Sequence, residues 1–246
     1  MPHSNAVPAS VATPVRQRRK DARPQELLDA ALDLFVAKGF AATRSEEVAA
    51  RAGVSKGTLY LYYPSKEELL KAVVRHFVVN EIAEGADAVR LAEGSSADLL
   101  AVVLRMWWQR MGETRASGVL KLMMSEVRNF PEIAQFYVDE VVDPSHHMLA
   151  ELLQRGIDRG EFRPVNVADV VNVLVAPLLF LVMHKYSLGA CPSGKRIDPA
   201  AFIEAQIDLV LRGLSASPPL TPARTSPEAR TSPPAPTVKS IRRRTA

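Results

Sequence analysis

The sequence predicts an all-α chain, with a small three-helix domain near the N-terminus and a larger helical domain after it. Three observations carry this. Residues 24–213 place apolar side chains at helical spacing throughout. No segment alternates convincingly between apolar and polar residues, as a half-buried strand would. Glycines and prolines fall between the periodic stretches, at Gly39, Gly53, Pro64, Gly94, Gly112, Pro131, Gly160, Pro164 and across 189–199, where they act as punctuation.

The first helix is expected from Pro24 to Lys38, with Leu27, Ala31, Leu34 and Phe35 on one face and Gly39 closing it. Thr43-Arg44-Ser45-Glu46 reads as a capping box, Thr43 at the N-cap and Glu46 reaching back to it. The helix it opens ends near Ala52, and Gly53 supplies the turn. Ser55 caps a short helix from Lys56 to Tyr63, and Pro64 stops it. Ser65-Lys66-Glu67-Glu68 is a second capping box, starting a long helix that runs to about Leu91. Further helices are expected at 96–113, 116–129, 131–159, 167–188 and 199–213, with Pro144 as a candidate kink in the third of these.

The two ends differ from this body. Residues 1–20 are rich in Ala, Ser, Pro and Arg without a period, and are expected to form a disordered basic arm. Residues 215–246 hold seven of the 18 prolines and repeat ARTSP at 223–227 and 229–233. They are expected to be a disordered, Pro-rich basic tail. The formal net charge is +4, yet residues 1–23 carry five basic groups against Asp21, and 215–246 carry six against Glu228. The body between is therefore acidic. Basic arms suit a polyanion such as DNA, through counterion release; solvated tails are the plainer alternative. The single cysteine, Cys191, fits a reducing compartment. No signal-type apolar segment leads the chain, and the most apolar run, Val170 to Met183, is 14 residues with Asn172 and Pro177 inside it, short for a bilayer. The expectation is a cytoplasmic protein with no membrane partner.

The segment that carries chemistry is 43–69, TRSEEVAARAGVSKGTLYLYYPSKEEL. Two short helices joined by a glycine turn, with small apolar residues Val48, Ala49, Ala52, Val54 and Leu59 at their crossing, follow the helix-turn-helix grammar over 44–63. The second helix of such a unit enters the major groove N-terminus first. Lys56 there can donate to guanine O6 and N7. Gly57 lets the backbone approach closely. Thr58 and Tyr60 can reach phosphates or a thymine methyl. Tyr63 and Leu59 suit the core better than a contact.

This segment resembles the DNA-binding domain of the TetR family, the tetracycline-repressor-like regulators. Thr43, Val48, Ala49, Ala52, Gly53, Val54, Ser55, Gly57, Tyr60, Tyr63, Lys66 and Leu69 match the family pattern in order, and Ala30–Phe35 with Lys38-Gly39-Phe40 resemble its first helix. The resemblance covers residues 21–81. It implies DNA contacts at Arg44 and Ser45, at Lys56, Gly57, Thr58, Tyr60 and Tyr62, and a phosphate held by Lys66, for which a solvated first-turn lysine is the alternative. Glu46 would be repelled by phosphate and is assigned to capping. Arg16, Arg18, Arg19 and Lys20 would touch phosphate or the minor groove.

For residues 82–214 the family implies a ligand-sensing and dimerisation domain. The 167–188 segment is apolar nearly all round, which requires burial on several sides, and a twofold interface shared with the last helix is a natural place for it. Trp107, Trp108, Met111, Met123, Met124, Phe136 and Tyr137 are candidate pocket residues, since aromatics and methionines suit an apolar or aromatic ligand; ordinary core packing is the alternative for each. Adjacent His146 and His147 point about 100° apart on a helix and share no metal locally. No metal, cofactor or catalytic motif is present in the sequence, so no enzyme activity is expected. The reading is a dimeric repressor on a palindromic operator, released by a small-molecule effector. The alternatives are an architectural DNA-binding protein of the same fold and a helical protein with a coincidental helix-turn-helix.

Overall fold

The computed structural model describes residues 15–216 apart from Ser193 and Lys195. The expectations for 1–14 and for the tail beyond 216 lie outside the described residues. Nine helices follow one another among those described: α1 (Val15–Lys38), α2 (Ser45–Arg51), α3 (Lys56–Tyr62), α4 (66–91), α5 (96–112), α6 (Ala116–Glu126), α7 (131–158), α8 (Val167–Lys185) and α9 (Pro199–Leu214). One isolated antiparallel bridge, Phe162 with Ser215, ties the α7–α8 loop to the end of α9.

Two expectations near the N-terminus are corrected. Residues 15–20, read as a structureless arm, are helical, and α1 begins nine residues before the expected Pro24, which sits inside the helix. Gln17, Arg18, Arg19, Lys20, Ala22 and Arg23 are all good helix formers, which outweighs the lost proline N–H. Thr43 is not an N-cap. Its buried hydroxyl donates to Gly39 O at 2.8 Å and to Leu34 O at 3.2 Å, closing the end of α1. Arg44 is the N-cap residue of α2, and the reciprocal carboxylate is Glu47, not Glu46, accepting from Arg44 N at 3.2 Å. Ser55 and Ser65 cap α3 and α4 as expected, accepting from Thr58 N at 3.1 Å and Glu68 N at 3.0 Å. Gly39 and Gly53 have φ of 88° and 68°, the left-handed region that makes glycine the easy choice there.

The small bundle packs Leu27, Ala31 and Phe35 of α1 on Val48, Ala49, Leu59, Leu69 and Val73, with Phe40 edge-on to Phe35. Its core does not stop at an inter-domain cleft. Phe40 also meets Phe130 edge-on at 4.9 Å, and a Cβ at Gly118 of α6 would come within 2.7 Å of Val36 of α1. The boundary expected between 81 and 82 falls inside α4, which runs unbroken through both parts.

Three long helices each contain a π turn: Arg75–Val79 in α4, Trp108–Gly112 in α5 and Val138–Val142 in α7. Pro144, flagged as a possible kink, follows directly after the third, where the register has already shifted. The apolar run expected over 14 residues belongs to a 19-residue helix, α8, long and apolar enough to cross a bilayer by those criteria alone. Instead it buries Val171, Leu174, Leu178, Leu181 and Val182 against its neighbours, while Gln206 of α9 donates to its Leu174 carbonyl at 2.8 Å.

Candidate DNA-binding surface and effector cavity

The outward side of α3 presents Lys56, Gly57, Tyr60 and, beyond the expected set, Leu61, which is 85% exposed. Leu61 follows the fully buried Leu59 by two residues, placing it on the opposite side of the helix. An apolar residue at an outward helix position was the available sequence signal. Arg44 is also exposed at the start of α2, and Thr58 is half-buried with its hydroxyl 2.9 Å from that of Ser55.

Three expected contacts are turned away from this surface. Ser45 is only 8% exposed, because the first turn of α2 packs against α1. Tyr62 is half-buried and packs on the core. Lys66 is an internal clamp: its ammonium donates to Phe40 O (2.9 Å), Thr43 O (3.0 Å) and Ala41 O (3.3 Å) and lies 4.5 Å from the centre of the Phe40 ring. Its three protons are committed to the α1–α2 loop, so the expected phosphate contact has no free donor.

Glu46 pairs with Lys56 rather than capping α2. The shared hydrogen bond holds the Glu46 carboxyl below and the Lys56 ammonium above their ordinary values. The Lys56 ammonium also lies 5.8 Å from the centre of the Tyr60 ring. These three side chains form one cluster across α2 and α3, and Lys56 must leave or share Glu46 to meet a base.

A second charged network joins this domain to the rest. Arg115, between α5 and α6, binds Asp29 and Asp33 of α1, donating also to Asp29 O at 2.9 Å, and Asp33 receives Arg51 of α2 at 2.8 Å. Burial pushes the Asp33 carboxyl up, but the two guanidiniums more than offset it and hold it below its usual range. Arg75 and Glu140 form a bidentate pair, at 2.7 and 2.5 Å, that links the π turns of α4 and α7.

Behind α4 lies a cavity of about 370 Å³, walled by α4 (Val78, Ile82), α5 (Val103, Trp107, Met111), α6 (Leu120, Met124), α7 and α8. Of the seven expected pocket residues, Trp107, Met111, Met124 and Tyr137 line it. The other three are corrected. Met123 is buried in the core. Phe136 packs beneath Lys71 and Arg75, whose charges lie 5.8 and 4.9 Å from its ring centre. Trp108 faces a separate cleft with His184 and Lys185. One physical reason covers all three: adjacent helix residues point about 100° apart, so only one of Trp107/Trp108, Met123/Met124 and Phe136/Tyr137 faces the same space. Ser145, Met148 and Asn172, unremarked as lining residues in the sequence, join the wall together with His146.

Comparison with known proteins agrees with this architecture. Residues 27–73 match the model for bacterial regulatory proteins of the tetR family, and 91–187 match the tetracyclin repressor-like C-terminal domain. The chain is 31% identical over 156 residues to the HTH-type transcriptional regulator YfiR of Bacillus subtilis, covering 61% of this chain and 73% of that protein. It is 24% identical over 196 residues to the repressor KstR2 of Mycolicibacterium smegmatis, covering 79% and 92%. Among solved structures, the regulator FadR of Bacillus subtilis in complex with stearoyl-CoA superposes with a TM-score of 0.64 at 20% identity, over 77% of this chain and 98% of that one. The ketosteroid transcriptional regulator KstR2 of Mycobacterium tuberculosis gives 0.61 at 21% identity, over 84% and 99%. A capped helix-turn-helix joined through one continuous helix to a cavity-bearing helical domain, matched over both parts, places this chain in the TetR family of DNA-binding transcriptional regulators, which are not enzymes.

Proposed function

We propose that this protein is a homodimeric repressor that binds a palindromic operator and is released from it by a small apolar effector held in the cavity behind α4. The observation that carries the reading is the cavity itself: an apolar space of about 370 Å³ whose wall includes Val78 and Ile82 of α4, the helix that begins in the DNA-binding bundle. Clefts of this size and lining suit small apolar molecules. The solved FadR complex with stearoyl-CoA and the ketosteroid regulator KstR2 support an effector with a large hydrocarbon part.

Lys56, Gly57, Tyr60 and Leu61 are the readers in the major groove, with Arg44 beside them. Lys56 donates to guanine, and Leu61 and Tyr60 offer apolar contact to thymine methyls and phosphate contact. A twofold dimer spaces two such helices for half-sites one helical turn, about 34–36 Å, apart or a multiple of it. The dimer seam is the outer face of α8 and α9, where Val173, Phe180 and Leu209 are 57%, 50% and 71% exposed and Phe180 lies 6.0 Å from Phe202. Apolar side chains gathered on two neighbouring helices favour burial against a second copy. Effector binding shifts the protein toward the state in which the two α3 helices are wrongly spaced, limited by its differential affinity for the two states.

Selection of bound sites from a random DNA pool with the purified chain tests this. A palindrome of fixed spacing, released by an apolar effector, is the expected result. Unspecific binding that only follows salt, unaffected by any apolar ligand, would mean an architectural DNA-binding protein instead.

A further inference from the structure

The cavity is not uniformly apolar, and its polar groups are unequal. Ser145 donates its hydroxyl hydrogen to Val142 O at 2.9 Å, and the Asn172 amide spends one of its two hydrogens on Ala168 O at 3.1 Å, both within their own helices. Tyr137 is half-buried and lines the same wall, and its hydroxyl meets no hydrogen-bonding group of the protein among the described residues. That hydroxyl is therefore free to pair with whatever occupies the cavity. No Asp, Glu, Lys or Arg lines this cavity, and His146 is the one basic side chain on it. A charged head group would be buried there with little to compensate it.

A second space adjoins it. A second cavity of about 240 Å³ between α4 and α5 shares Ile82, Val103, Trp107, Met111, Ser145 and Met148 with the first. Gly85, Ala88 and Ala92 leave room along its α4 side. Arg110 at its edge is already bound to Glu81 at 3.1 Å and Glu84 at 3.2 Å, so it offers no free charge to an anion. The two cavities adjoin across these shared side chains, mostly apolar, with the Tyr137 hydroxyl as the uncommitted hydroxyl donor of the first.

We infer that the effector is an elongated, uncharged molecule with an apolar body and a ketone-like or hydroxyl oxygen at its inner end, and that Tyr137 selects it by donating a hydrogen bond to that oxygen. This rests on the effector reading above and names the chemistry of the same site. Trp107 in the wall provides the signal. Tryptophan fluorescence of the full chain is titrated with 2-nonanone, nonane and nonanoate at neutral pH, for the wild type and for Tyr137→Phe. The expected result is that the ketone binds the wild type about tenfold more tightly than the alkane, the worth of one buried hydrogen bond. Tyr137→Phe erases that preference, keeps the alkane affinity, and melts at the same or a higher temperature without ligand, since the lost hydroxyl had no protein partner. A ketone preference that survives in Tyr137→Phe, or a lowered melting temperature of that variant, overturns the role of Tyr137 and leaves the apolar cavity standing. Tightest binding by nonanoate, lost in His146→Gln, overturns the uncharged effector. Failure of all three probes to bind the wild type overturns the effector cavity itself.

Discussion

The helix-turn-helix and the cavity behind α4 are built in opposite ways. α2 and α3 are seven residues each, too short to be stable on their own backbone hydrogen bonds. They are held by caps, by the turn at Gly53, by packing on α1 and by ion pairs from Lys38 to Glu47 and from Asp33 to Arg51, while Lys66 and Thr43 fix the loop that leads into them. The cavity lies between helices that are long enough to stand alone, and its shape depends on where their register slips. Residues in or next to the π turns, Val78, Met111, Tyr137, Val141 and Val142, all line it. The short segment must recruit polar groups to exist at all, whereas the long helices can leave space between them.

The sharpest way to break this comparison is at Lys66. If it is a clamp, Lys66→Met leaves three loop carbonyls without their donor and lowers stability by about 2–3 kcal/mol, measured by urea unfolding without DNA. Unchanged stability with weaker, salt-dependent DNA binding would instead make it a phosphate ligand. Next in size is the reading surface. Lys56→Ala and Tyr60→Ala are each expected to lower operator affinity about tenfold or more without shifting the unfolding midpoint, because both side chains are exposed. Glu46→Gln frees Lys56 from its partner, and binding to unrelated DNA is expected to strengthen; an unchanged affinity would show that the pair persists in the complex.

The link between the two regions gives a smaller effect. Arg115→Ala removes the bridge to Asp29 and Asp33, and the coupling between effector and DNA binding is expected to fall by about 0.5–2 kcal/mol while each ligand still binds alone. Coupling identical to wild type in a four-way binding cycle would route it through α4 only. Smallest is the pair that joins two π turns. Hydrogen bonds from Arg75 hold the Glu140 carboxyl below its ordinary range. The stabilisation is therefore complete above the usual carboxylate pKa and fades as the pH falls through the lower, folded-state value. Glu140→Gln is expected to cost under about 1 kcal/mol at neutral pH, as the pair is partly exposed, and nothing once wild-type Glu140 is protonated. A cost that persists at acid pH would trace the loss to packing.

Much of this was legible from the residues in order. Helix positions followed apolar spacing and the glycine and proline breaks, and α2 and α3 announced themselves through Ser55, Gly53 and the small residues at their crossing. What went astray were choices between neighbours. Glu47 rather than Glu46 closes the start of α2, and of the neighbours Phe136 and Tyr137, both offered as pocket residues, only Tyr137 faces the cavity. A one-residue error is a rotation of about 100°, and the π turns add further rotations that periodicity alone does not report. Lys66 went astray for another reason. It occupies a position where the family resemblance implied phosphate, and only the approach of the α1–α2 loop to its ammonium turns it inward.

By itself, then, the sequence determined what local physics controls: an all-helical chain, its punctuation, and a helix-turn-helix with an outward Lys56 and Tyr60. The tertiary structure alone decided how those helices share one core, which neighbouring side chain faces the cavity, which polar groups are already committed, and that Tyr137 keeps a hydroxyl with no partner among the described residues. Local signals fix a residue's conformation, but whether a donor is free depends on groups tens of residues away in the chain, and those distances exist only after folding.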